Sequence, residues 1–136
     1  MDADLEFKLD PERMFIRFPR VVTTWALMQP ARKAQRHRDR YNNVDTLLDL
    51  SDVEHFRISA EELRLSAGRQ SAWDRTHPNA RARVAIVANS PLTFGLARKF
   101  QSRRTSDTTE VEIFRRRQDA EAWLDKGRVK APAEAS

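Results

Sequence analysis

Apolar and polar residues alternate twice near the start of the chain. Leu5, Phe7 and Leu9 are separated by Glu6 and Lys8, and Met14, Ile16 and Phe18 share one face with Arg17 on the other. A period of two marks half-buried strands. Asp10-Pro11-Glu12 between them has turn chemistry, so the pair predicts an antiparallel hairpin, which Pro19 ends. Three later stretches carry strand patterns. Val44 to Leu50 is the central one. Arg83 to Ala88 contains the apolar run Val84-Ala85-Ile86-Val87-Ala88, and Val111, Ile113 and Phe114 form the last.

Helical patterns separate these strands. Thr23 or Thr24 caps a helix through Trp25, Leu27 and Met28, with Trp25 assigned to the core. Pro30 removes a hydrogen bond there and costs about 3 kcal/mol, so the helix kinks or restarts. Ala31 to Arg40 is the most basic segment and reads as a solvated face. Ser59-Ala60-Glu61-Glu62 is an S-x-x-E capping box opening a second helix, with Leu63 and Ala67 on one side. Gly68 to Ala80 closes it, and Trp73, His77 and Pro78 fall in or near that connection.

Ser90 and Pro91 start a third helix, with Leu92, Leu96, Ala97 and Phe100 as its stripe and Arg98, Lys99 and Arg103 outside. Gly95 within it suggests close packing on the sheet. Gln118 to Asp125 is the last helix, with Gly127 at the C-cap. The predicted order is β-β-α-β-α-β-α-β-α. It describes an α/β domain over residues 4–126, with a mostly parallel sheet and an antiparallel first strand at one edge. Residues 127–136 are expected to be a disordered tail. The sheet core is expected to hold Ile16, Leu48, Leu50, Val84, Ile86, Val87, Ile113 and Phe114.

The run from Arg83 to Phe100, then Val111 to Arg115, then Ala120 and Ala122 to Leu124, resembles the bacterial STAS-like, SpoIIAA-like family of small stand-alone domains. Leu47 to Val53 resembles that family's central strand. The resemblance implies a SpoIIAA-like fold and a non-enzymatic protein-interaction or regulatory module acting through a protein partner or a homodimer. The family's fold relatives include anti-sigma-factor antagonists, phosphorylated on a serine at the start of the helix that Ser59 opens here. Their Asp-Ser-Ser-Gly character is replaced by Arg57-Ile58-Ser59-Ala60-Glu61, and Ser59 reads first as a helix cap. The relatives also include lipid-binding CRAL-TRIO domains. These imply an alternative, a lipid or small apolar-anionic ligand between sheet and helices, its head met by Arg98 or Arg115.

Composition narrows the classes. The 136 residues carry a net charge of +5, and no cysteine is present to form a disulfide, a thiol nucleophile or a thiolate metal site. The basic excess admits an acidic partner, but no nucleic-acid motif accompanies it, so nucleic acid ranks third. No apolar run approaches the length of a membrane span, and the acidic start lacks a leader's apolar core, so a cytoplasmic location without integral membrane contact is expected. Gly68, Gly95 and Gly127 lie apart, which excludes a P-loop or dinucleotide fingerprint. His37, His55 and His77 have no ligand spacing, and no G-x-S-x-G elbow occurs. We therefore expect no cofactor, no metal and no catalysis. Ligand sites of α/β sheets gather beyond the C-terminal strand ends. The candidate rim is accordingly Asp49, Asp52, Ser59, Asn89, Ser90, Arg98 and Arg115.

Overall fold

The computed structural model describes residues 6–10, 12–41, 43–76, 81–104 and 109–135. Strands β1 (Glu6–Leu9), β2 (Arg13–Arg17), β4 (Asp45–Asp49), β6 (Ala82–Val87) and β7 (Thr109–Phe114) form one sheet in the order β1-β2-β4-β6-β7. The fold is α/β, with a mostly parallel mixed sheet. β1 pairs antiparallel with β2 at the edge, and the other neighbours run parallel. The hairpin closes through mutual backbone bonds between Asp10 and Arg13. Two further strands, β3 (Val21–Thr23) and β5 (His55–Arg57), make a separate parallel pair absent from the predicted order. Three residues are too few to show a period. The pair is anchored instead by the Arg20 carbonyl, which accepts from the Glu54 and His55 amides.

After the hairpin, the main-sheet strands are added in one direction across the sheet. Right-handed crossovers then put their helices on a single face. Those helices are α1 (Thr24–Arg40), α2 (Ala60–Thr76) and α3 (Pro91–Arg104). The last helix, α4 (Arg117–Ala135), covers the opposite face. There Ala120 and Leu124 pack on Phe15, Leu47, Ala85 and Val87, with Phe114 and Trp123 at the margin. Arg83 stacks on the Trp123 ring at 3.8 Å and donates to its carbonyl, fastening helix to sheet.

Several expectations are corrected. α4 does not stop at Asp125. It continues as helical backbone through Gly127 to Ala135. Glycine costs a helix about 1 kcal/mol without forbidding it, and Lys130, Ala131, Ala133, Glu134 and Ala135 are good helix formers, although Pro132 among them opposes the helix. α1 does not restart at Pro30, and is one helix from Thr24 to Arg40 with Pro30 buried inside it. Its buried residues are Ala26, Pro30, Ala34 and Arg38, a strict four-residue repeat. Trp25 is one position off that stripe and is 60% exposed rather than in the core. α2 extends to Thr76 and takes in Trp73, whereas His77 and Pro78 lie outside the described residues.

Candidate functional site

Asp49 ends β4, Asn89 and Ser90 follow β6, and Arg115 follows β7, each at the C-terminal end of a parallel strand. The chain there is tied by Phe18 donating to Asp49, Leu50 to Val87 and Ala88 to Phe114, all through the backbone. Most of the rim's polar groups are already used. Asp49 is buried, and its Oδ1 accepts from the Ser51 amide at 2.9 Å and the Ser51 hydroxyl at 2.5 Å. Asp52 pairs with Arg17 at 2.6 Å. Ser90 caps α3, where its hydroxyl accepts from the Thr93 amide at 3.2 Å and its own amide donates back to the Thr93 hydroxyl. Asn89 and Arg115 are exposed, and Arg98 lies over Phe94 on the outer side of α3. This edge is built chiefly of turn and cap interactions.

Ser59 heads a complete capping box. The Glu62 amide donates to its hydroxyl at 3.1 Å, and its own amide donates to Glu62 Oε1 at 3.2 Å. The second carboxylate oxygen of Glu62 accepts from the Thr24 hydroxyl at 2.6 Å, joining the start of α2 to the start of α1. These bonds, led by that from Thr24, hold the Glu62 carboxyl below its ordinary value of 4.5. A depressed carboxyl stabilises the fold above its unfolded pKa, and the contribution disappears as pH falls through the folded pKa. A side-chain carbon NMR titration should place the Glu62 midpoint below 4.5. Thr24→Val should raise it. Ser59→Ala should cost about 1 kcal/mol in urea unfolding, the usual value of a cap.

A further feature, which no residue pattern located, lies on the three-helix face. A cavity of about 180 Å³ separates the sheet from α1, α2 and α3. Its floor is Met14, Ile16, Thr46, Leu48, Val84 and Ile86. The cause is side-chain size. α1 presents Pro30, Ala31 and Ala34 beside Leu27, and α3 presents Ala97 beside Leu96 and Phe100, so the small residues leave room above Leu48. α2 packs on α3, and Leu63 and Ser66 are its described residues in the lining. Leu48 and Leu50, expected in the closed core, are half-buried because they face this space.

The ends of the cavity differ. Near the C-terminal strand ends its wall is Phe18, Val22, Val53 and Phe56. A crossover helix runs antiparallel to its strands, so α1 and α3 both finish near the strands' N-terminal ends. There the wall includes Arg38, Lys99 and Arg103. Arg38 is 6% exposed, while Lys99 and Arg103 stand at the surface. Arg38 was hidden in a run that reads as solvated. Its signal was position, twelve residues after Ala26 on the buried repeat. Lys99 and Arg103, expected outside, are exposed and also border the cavity.

Among the described residues, the lining contains these three cations, the hydroxyls of Thr46 and Ser66, and no carboxylate, histidine or cysteine. No group of three or more potential metal ligands occurs among them, and no helix is long and apolar enough to cross a membrane. No protein-family model matches the chain, and no curated protein matches it.

Proposed function

We propose that this chain is a binding domain for a small apolar molecule held between the sheet and helices α1 to α3. The cavity over Leu48 carries the reading. An engineered apolar cavity of about 150 Å³ takes up benzene, and this one is slightly larger, so a ring or a short chain is the matching size. Among the described residues the lining offers no nucleophile beside a base, which favours binding without turnover. The Ser59 hydroxyl is engaged in the cap of α2, so it offers a protein partner or a kinase less than an unbonded serine would. An antiparallel edge strand beside four parallel ones, with three crossover helices on one face, supports a STAS-like fold of the ligand-holding kind.

Titration with 1-octanol, followed by methyl NMR, tests the cavity without involving charge. Leu48, Ile86 and Leu96 should shift, while Leu47 and Val87 beneath α4 should not. Ala31→Phe should fill the space and abolish the response. Shifts of equal size on both faces, or none, would remove the reading.

A further inference from the structure

Resting on that reading, one side chain of the floor specifies the chemistry of the occupant. Thr46 is 8% exposed and lies in β4, in register with Met14 on β2 and Val84 on β6. Leu47 beside it packs beneath α4, so the pleat turns Thr46 and Leu48 to the other face, toward the cavity. Among the described residues, Thr46 is the one polar side chain that the main-sheet strands give to the lining, and its hydroxyl has no hydrogen-bond partner. Other buried polar groups are engaged. The Thr93 hydroxyl bonds to that of Ser90, Asp49 accepts from Ser51, and Arg38 has a partner of its own. A hydroxyl enclosed by hydrocarbon is ordinarily bonded and is costly when unpaired. It therefore favours an occupant that brings the missing partner and disfavours an apolar one of the same shape. Lys99 and Arg103 stand at the surface, where solvent and salt screen them, so they require no charge on the enclosed molecule.

We propose that the cavity takes a small neutral hydroxyl compound, a phenol or an alcohol of similar size, with its oxygen hydrogen-bonded to Thr46. Both hydroxyls donate and accept, so the pair forms either way round. A cavity of about 180 Å³ holds one ring with one substituent, since benzene enters one of about 150 Å³. The ring lies against Leu48, and its oxygen points toward the N-terminal end of β4.

Methyl NMR titrations of the full chain at neutral pH with phenol, toluene and benzoate test this. Phenol and toluene are nearly the same shape, and phenol is uncharged there. Both should shift the methyls of Leu48 and Ile86. Thr46→Val exchanges the hydroxyl for a methyl and should lower the phenol-to-toluene affinity ratio about fivefold, the value of one neutral hydrogen bond. Thr46→Ser keeps the hydroxyl and should preserve the ratio. An unchanged ratio in Thr46→Val would overturn the assignment to Thr46 and leave the cavity reading standing. Toluene binding without phenol would overturn the hydroxyl class, and benzoate binding more tightly than phenol would overturn the neutral one. Failure of both phenol and toluene would remove the cavity reading itself. If Thr46→Val does not fold, Thr46→Ala decides by the same ratio.

Discussion

Leu47→Ala should lower the unfolding free energy by about 3–5 kcal/mol, and Leu48→Ala, one residue along the same strand, by less than about 2 kcal/mol. The two leucines share β4, yet the pleat sends them to opposite faces. Leu47 is 1% exposed and enclosed by Phe15, Ala85, Val87, Ala120 and Leu124. Truncating it opens a void in a closed layer, which adds a cavity cost to the lost transfer energy. Leu48 faces a space that already exists, so its truncation enlarges a gap and forfeits fewer contacts. Urea unfolding followed by circular dichroism measures both. A domain of this kind is stable by about 5–15 kcal/mol, so Leu47→Ala removes a large fraction of the total. Equal losses at the two positions would mean that α1 and α3 close over Leu48 in solution, and the proposed binding site would be lost with that result.

The same contrast explains what could be read from the sequence. Strand alternation at Met14, Ile16 and Phe18, the apolar run through Val87 and the caps at Ser59 and Ser90 are local signals, and each marks its element correctly. β3 and β5 escaped because a three-residue strand has no period to detect. The cavity escaped for a different reason. A void is the absence of a side chain that a neighbouring element would need to supply, and it is visible only when Ala31, Ala34 and Ala97 are placed opposite Leu48. Arg38 shows the same limit. In the run from Ala31 to Arg40 it is one basic residue among several. Only the phase set by Ala26, Pro30 and Ala34 turns it inward, and Trp25, the largest side chain nearby, misled because it is out of that phase by one residue. The expected rim follows the C-terminal ends of the parallel strands. Its carboxylates and hydroxyls, however, stabilise turns and helix starts, and the solvent-facing cations nearest the cavity lie at the other end.

The combined substitution of Gly68 and Gly95 by alanine should stabilise the protein by about 2 kcal/mol, near 1 kcal/mol for each. Gly95 is expected from its sequence context to permit close packing against the sheet, but a Cβ there would meet no atom within 4 Å, and the same holds at Gly68. Among the described residues no glycine has positive φ, so neither position needs the backbone freedom that only glycine has. Both residues are exposed in the interiors of helices, at which alanine's advantage is chiefly a less mobile unfolded chain. The sites lie on different helices with no shared contact, so the gains should add. For a chain of this length the melting temperature should rise by roughly 6–10 °C. No gain at Gly95 would mean that α3 sits closer to a neighbour than its open flank indicates. A gain at both would supply the stability margin needed for Leu47→Ala, so that loss of packing can be read in a protein that remains folded.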